Sequence, residues 1–300
     1  MDVSIVIVNY NTCRKTSECL ASIFAQTTGL DFEVIVVDNA STDDSVKCLR
    51  QDPRIVLVEN PTNPGFGAAN NVGADRATGK YLFFLNSDTL LLNNAVKTFF
   101  DYLESHPGRK RICGCVLQNA DGSKGGTVGF PTLAGTLKWA ASCHVRWLFR
   151  RAFGLSAPAY DYRKAEAADE AVPVDVVSGA DLFMPADMFR SCDGFDTRFF
   201  MYFEEVDLQK RLADQGVERL LIPGPGIYHA IGASAGKVRP FLLEKISTES
   251  LLLYLRKHSR LGPYALFRIL YFFIRIPVFL LKPYSRREKA ALAHSLIRWR

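Results

Sequence analysis

The 300 residues, 48% apolar and 23% charged, have the composition of an ordinary globular protein. That is enough for one large domain, or for a domain of roughly 200–250 residues plus an extension. No internal repeat or low-complexity tract is present, and seven cysteines lie scattered without metal-ligand spacing. An odd number of unpaired cysteines fits free thiols in a reducing compartment. The net charge of +6 is uneven: Arg256–Arg300 holds eleven Lys or Arg against one acid, Glu288, so the tail is +10 and the first 255 residues −4.

The chain begins with "VSIVIVNYN", too short an apolar run for a signal peptide, so a cytoplasmic protein is expected. Val3–Val8 is continuously apolar and β-branched, the pattern of a strand buried on both faces. Helix formers follow over Arg14–Gln26. "FEVIVVDNASTDDS" is a second buried strand ending in Asp38, with turn and helix-cap residues at Ser41–Asp44. "RIVLVEN" is a third strand. "PTNPGFGAANNVGADRATG" is a turn running into a small-residue helix, and "KYLFFLNSDTLL" is a fourth strand. This alternation predicts a doubly wound parallel α/β unit over about residues 1–110.

In such sheets ligands bind beyond the carboxyl ends of the strands, where Asp38 and Asp88 both lie. Neither G-x-G-x-x-G nor a P-loop is present, which counts against dinucleotide oxidoreductases and NTPases. Cys113 and Cys115 alternate along an expected strand, so one of them is expected to face the core. Residues 132–171 read as an irregular excursion or lid, with Trp139, Trp147, Phe149 and the cluster Arg146, Arg150, Arg151. Gly179 in "SGADLFM" suits either a close approach to a ligand or a bulge.

"FFMYFEEVDLQKR" sets Glu204, Glu205 and Asp207 directly behind five apolar residues. A helix start explains acids there through the helix dipole; a carboxylate held at an apolar wall to take a proton is the alternative. On a helical wheel Glu205 lies nearest the stripe through Leu208 and Leu212, Glu204 next, and Asp207 on the far side, at the surface or paired with Arg211. A long helix is expected over about Phe241–His258. The tail contains "YALFRILYFFIRIPVFLL", whose Arg268 and Arg275 share one helical face. That predicts an interfacial helix with snorkelling arginines on an anionic membrane, in preference to nucleic-acid binding or to a core helix whose arginines pair with acids.

Taken in order, "VSIVIVNYN", "VIVVDNASTDDS", "NPGFGAANNVG", "FLNSDT", "GFDTRFFMYFEEVDLQKRL" and "YHAIGASAG" resemble the glycosyltransferase family 2 enzymes of GT-A fold. The resemblance spans about residues 2–260 and is greatest to the bacterial rhamnosyltransferase-like branch. It implies an α/β mixed sheet of GT-A type with a catalytic domain over 1–240, and the basic, apolar tail read above is then a helical, membrane-associating extension over 241–300. Within the first, 1–110 would be the nucleotide half, 132–171 a lid and 172–240 the acceptor half.

The resemblance also implies an inverting, Mg²⁺- or Mn²⁺-dependent transfer of a sugar from a dTDP- or UDP-sugar, L-rhamnose being the expected sugar, to a lipid-linked or polysaccharide hydroxyl. Val8, Tyr10, Asp38, Asn39 and Asn70 would line the donor site, Asp88 and His229 would bind the metal, and Glu205 would be the general base with Glu204 beside it. Two departures matter: Asn86-Ser87-Asp88 stands for Asp-x-Asp, and Glu205 stands where Asp is usual. They keep a catalytically weak sugar- or membrane-binding scaffold in view. A nucleotidyltransferase would use strand-end carboxylates too, but it leaves Glu205 without a role.

Overall fold

A computed structural model of the chain describes residues 1–142, 169–230 and 239–298. It divides into two compact units. The first holds residues 1–129, 169–200 and 204–230; the second holds 130–142, 201–203 and 239–298. Of the expected lid, residues 143–168 with Arg146, Trp147, Phe149, Arg150 and Arg151 lie outside the described residues, as does the "IGASAG" segment.

The first unit is built on strands β1 (Val3–Asn9), β2 (Phe32–Asp38), β3 (Ile55–Glu59), β4 (Tyr81–Leu85), β5 (Thr89–Leu91), β6 (Arg111–Gly114) and β7 (Leu117–Asn119). They continue with β8 (Lys124–Gly125), β9 (Thr127–Val128), β10 (Val172–Pro173), β11 (Val176–Val177), β12 (Asp181–Pro185), β13 (Glu218–Leu221) and β14 (Ile227–His229). Its helices are α1 (Cys13–Gln26), α2 (Ser45–Leu49), α3 (Phe66–Arg76), α4 (Ala95–Glu104), α5 (Ala186–Ser191) and α6 (Glu204–Ala213). Eight strands form one sheet in the order β10-β13-β6-β12-β4-β1-β2-β3. The pairs β1–β2, β2–β3 and β1–β4 are parallel, and β12 enters antiparallel between β4 and β6.

Strand alternation explains why these runs are apolar on both faces, apart from Ser4 and Glu33, which bond to each other at 2.6 Å. Val3, Ile5 and Ile7 of β1 join one core layer with Tyr81, Phe83 and Leu85 of β4. Val6 and Val8 join the opposite layer with Leu82 and Phe84. A strand covered on both faces has no polar side to show. Helix α1 buries Thr16, Cys19, Leu20 and Ile23, one stripe at helical spacing. Cys113 and Cys115, two positions apart and so on one face, are both buried in the same core layer as Phe83, where one was expected.

The chain moves outward from β1 to β3 and returns to β4 on the other side of β1. The β1/β4 boundary is therefore the topological switch point, where the loops leaving the two strands part and open a crevice. Because β12 runs antiparallel to β4, its first residue Asp181 pairs with the last residue of β4, Leu85. The turn that precedes β12 thus stands at the carboxyl edge of the sheet.

In the second unit α7 (Pro240–Lys257), α8 (Leu261–Leu281) and α9 (Arg286–Ile297) pack on one another. Ser285 and Glu288 close a capping box at the start of α9. The expected snorkelling of Arg268 and Arg275 is not what the helices do: both are buried. Arg268 donates to Tyr264 Oη at 3.2 Å, to Arg298 O at 3.0 Å and to Leu296 O. Arg275 pairs with Glu244 at 2.9 Å, and Lys282 and Tyr284 meet the same carboxylate. Buried guanidinium groups need such partners, and the neighbouring helices supply them. The outward face of α8 is instead wholly apolar, with Leu266, Ile269, Leu270, Phe273, Leu280 and Leu281 exposed.

Candidate active site

Three polar side chains meet at the carboxyl end of β4. His229 Nε2, at the end of β14, lies 3.3 Å from Asp88 Oδ1 and 3.4 Å from Asn86 Nδ2. Strand β14 brings His229 there by pairing antiparallel with β5, register His229 to Thr89. Asn86 Oδ1 is buried without a hydrogen-bond partner. A carboxylate, an imidazole and an amide oxygen with a spare lone pair form an oxygen and nitrogen donor set that fits a divalent cation such as Mn²⁺. Among the described residues no cluster of three His, Cys, Asp or Glu exists, so the third protein donor would have to be the Asn86 amide.

The acidic pair opens α6 on the same sheet edge. Glu204 is almost wholly buried and Glu205 partly so, and the Oε2 atom of each is buried without a hydrogen-bond partner. A Cβ built on Gly179 would stand 3.3 Å from Glu205 Cβ and 3.4 Å from its Cγ. Gly179 is therefore the close approach that lets Glu205 lie against the 178–181 turn. Next to it, Ala180 O accepts from Asn86 N at 3.1 Å. One turn thus carries Glu205 on one side and the Asn86–Asp88 segment on the other. Gln209 fixes it to α6 by accepting from Val177 N at 2.8 Å and donating to Val177 O at 2.7 Å.

Burial pushes the Glu204 carboxyl well above the usual carboxylate range, and the charge of Glu205 adds to it. Burial raises Glu205 also, but the N–H groups of Glu205 and Val206 at the helix start oppose the rise. Both carboxyls therefore lie above the ordinary glutamate range, and the backbone N–H groups of the helix start oppose the rise at each. The wheel ordered the two the other way for burial and put Asp207 at the surface or paired with Arg211. Asp207 is fully buried and pairs with Arg211 at 3.0 Å, while Arg211 also donates to Gly194 O at 2.6 Å and to Cys192 O. The wheel assumes one covered face, whereas the 192–194 segment covers α6 on a second.

The expected donor residues stand at the carboxyl ends of β1 and β2 and on α3. Val8 is buried and Tyr10 half-exposed at the end of β1. Asp38 Oδ1 accepts from Asn9 Nδ2 at 2.6 Å, and its Oδ2 accepts from Ser41 N at 2.9 Å. Asn39 donates to Asn63 Oδ1 and Gly65 O, each at 3.3 Å, and accepts from Asn60 at 2.8 Å, tying β2 to the Gly-rich turn. Gly65 has φ +101°, and a Cβ there would strike Phe200 O at 2.3 Å. Asn70 donates to Phe66 O at 3.1 Å and leaves Oδ1 buried without a hydrogen-bond partner. Sequence reasoning missed Asn9, Thr12 and Ser87, which interleave with these groups; only their place in the strand-end motifs marked them.

It also missed Asp181. Wholly buried, its Oδ2 accepts from Cys115 N at 2.7 Å, and burial raises its carboxyl to about 7. A folded pKa above the ordinary 3.8 means that the neutral acid is favoured in the fold. The stabilisation is full below about pH 4 and is lost as pH rises through about 7. Asp181→Asn keeps an acceptor for Cys115 N. Its stability advantage over the wild type should grow by about 3 kcal/mol between about pH 5 and pH 8. Denaturant melts at the two pH values check this; a constant difference would contradict it.

The fold is that of GT-A glycosyltransferases. A crystal structure of GalNAc-T7 with UDP, GalNAc and Mn²⁺ superposes with a TM-score of 0.62 at 13% identity, covering 98% of this chain and 54% of that one. One of S. aureus TarS gives 0.53 at 16%, covering 99% and 71%. Residues 4–129 match the family model described as "Glycosyl transferase family 2". A poly(ribitol-phosphate) beta-glucosyltransferase of Bacillus spizizenii is 36% identical over 108 residues, 34% of this chain and 17% of that protein. Glycosyltransferase GlyG of Streptococcus pneumoniae serotype 4 is 30% identical over 106 residues, 34% and 35%. The chain spans well under half the length of these curated relatives.

Proposed function

We propose that this chain is an inverting glycosyltransferase that moves a sugar from a nucleotide-sugar donor to a hydroxyl of a lipid-linked or cell-envelope glycan. The observation that carries the reading is the single 178–181 turn, with Glu205 against Gly179 and Asn86 on Ala180 O. Glu205 is the general base: it takes the proton of the acceptor hydroxyl as that oxygen attacks the anomeric carbon, and the nucleoside diphosphate leaves. Asp88 and His229, with Asn86, hold a divalent cation, which when bound offsets the charge gathering on the leaving diphosphate. Val8, Tyr10, Asp38, Asn39 and Asn70 receive the nucleoside side of the donor. UDP and Mn²⁺ in a structure of the same fold support this donor class, and the resemblance to the rhamnosyltransferase-like branch favours a dTDP-linked deoxyhexose such as L-rhamnose. Titration calorimetry with UDP-, dTDP- and GDP-sugars, with and without Mn²⁺, tests it. One donor should bind tighter with the metal; no metal effect on any of them would contradict the reading.

The second unit carries the protein to the inner face of the cell membrane. Helix α8 is long and apolar enough to cross a bilayer, with mean hydropathy 1.8. Its packing against α7 and α9 favours lying on the surface, since spanning would carry Glu244, Lys245 and Glu249 into hydrocarbon. The face that enters lipid is the apolar one through Leu266 and Phe273, with Arg260, Arg286 and Arg287 exposed beyond its ends to meet anionic headgroups. In co-sedimentation with phosphatidylserine-containing vesicles, Leu266→Glu with Phe273→Glu should weaken binding by a factor on the order of 10². Wild-type protein that ignores such vesicles at low salt would overturn this.

A further inference from the structure

The groups between the two ends of the donor crevice form one buried hydrogen-bonded chain. Asn9, the last residue of β1, is fully buried and uses both polar atoms of its side chain. Its Nδ2 donates to Asp38 Oδ1 at 2.6 Å and to Ser41 Oγ at 3.1 Å. Its Oδ1 accepts from Thr16 Oγ1 at 2.6 Å and from Thr12 Oγ1 at 3.0 Å. Thr12 Oγ1 lies 3.3 Å from Ser87 Oγ. Ser87 sits between Asn86 and Asp88, the residues proposed to hold the metal.

Proton accounting gives this chain one consistent direction. A hydroxyl has one proton to give. Thr12 Oγ1 also lies 3.2 Å from Thr16 Oγ1, and with both threonine protons given to Asn9 Oδ1 the Thr12–Ser87 contact uses the proton of Ser87. Every donor then points one way, from Ser87 to Thr12, to Asn9, to the carboxylate of Asp38. Reversing the Asn9 amide would aim its oxygen at Asp38, so the charge of Asp38 holds the order. Aligned bonds of this kind polarise and stiffen one another.

We propose that Asn9, Thr12 and Ser87 are positioning residues that set the spacing between the nucleoside end of the crevice, at Asp38, and its diphosphate–metal end, at Asp88. The inference rests on the donor reading above. A ligand that spans both ends benefits from the fixed spacing, while a ligand that occupies one end does not. This separates a positioning role from general stabilisation, since a loosened fold weakens both kinds of ligand.

The test is titration of Thr12→Val, Ser87→Ala and their double variant with uridine, thymidine, UDP plus Mn²⁺ and dTDP plus Mn²⁺. Each single variant should bind the better diphosphate about five- to tenfold more weakly and leave the matching nucleoside unchanged, the effect of one buried hydrogen bond. The double variant should be no worse than the worse single one, because both cut the same link. Thr12→Ser, which keeps the hydroxyl, should restore wild-type binding. Equal losses for nucleoside and diphosphate, or no loss at all, overturn the relay while leaving the donor reading intact. A wild type that binds neither diphosphate overturns the donor reading and the relay with it. Thermal melts of each variant identify one that fails to fold, and the Ser87→Ala and Thr12→Ser pair then decides.

Discussion

Glu205→Gln is expected to cut sugar transfer by a factor on the order of 10² to 10⁴, the usual worth of a general base. Glutamine keeps the shape of the side chain against Gly179 but cannot accept a proton. Donor affinity should barely change, because the proposed donor groups lie on β1, β2, α3 and the turn after β4. Glu204→Gln should cost less, since burial raises the Glu204 carboxyl toward the neutral acid that glutamine imitates. In the wild type, transfer should rise with pH as Glu205 ionises, and burial places that limb above the ordinary 4.5 of a glutamate. Rates and donor dissociation constants of both variants across pH check this. An active Glu205→Gln beside a dead Glu204→Gln would put the base one residue earlier.

Asp88→Asn is expected to weaken metal-dependent diphosphate binding by a factor on the order of 10² or more. Removing one member of a buried charged contact costs roughly 2–5 kcal/mol, and Asp88 is the sole acid of the Asn86–Asp88 turn. His229 and an amide pair would remain, a donor set without charge. The fold should persist, because the backbone bond from Ala230 N to Asp88 O is unaffected. Calorimetry with Mn²⁺ and nucleoside diphosphate reads the loss directly; wild-type binding with the same metal dependence would remove Asp88 from the site.

Much of the first unit was legible in the sequence, since strands covered on both faces are continuously apolar and β1, β2 and β4 show that plainly. The strand-end positions of Asp38 and Asp88 followed from topology alone. Tertiary partners were not legible. Arg268 and Arg275 look like snorkelling residues on an isolated helix, but Glu244 and the carbonyls at the end of α9 lie tens of positions away in sequence. The i, i+4 spacing showed that Asp207 could pair with Arg211, but not that Arg211 bridges it to the 192–194 segment, which buries it. Asn9, Thr12 and Ser87 were invisible for a related reason: each is an ordinary polar residue whose role comes from the two neighbours it joins. The left-handed backbone of Tyr202 and Phe203, φ +71° and +69°, had no signal either, since glycine is the residue that usually marks such positions.

The most direct measurement is release of nucleoside diphosphate from dTDP- and UDP-sugars by the full chain, with Mn²⁺, with a chelator and with Mn²⁺ restored. Water is a slow acceptor, so the measurement needs no knowledge of the glycan. The account predicts release from one donor that stops with the chelator and returns with the metal. Release that is indifferent to the chelator, or no release from any donor that binds, would contradict it.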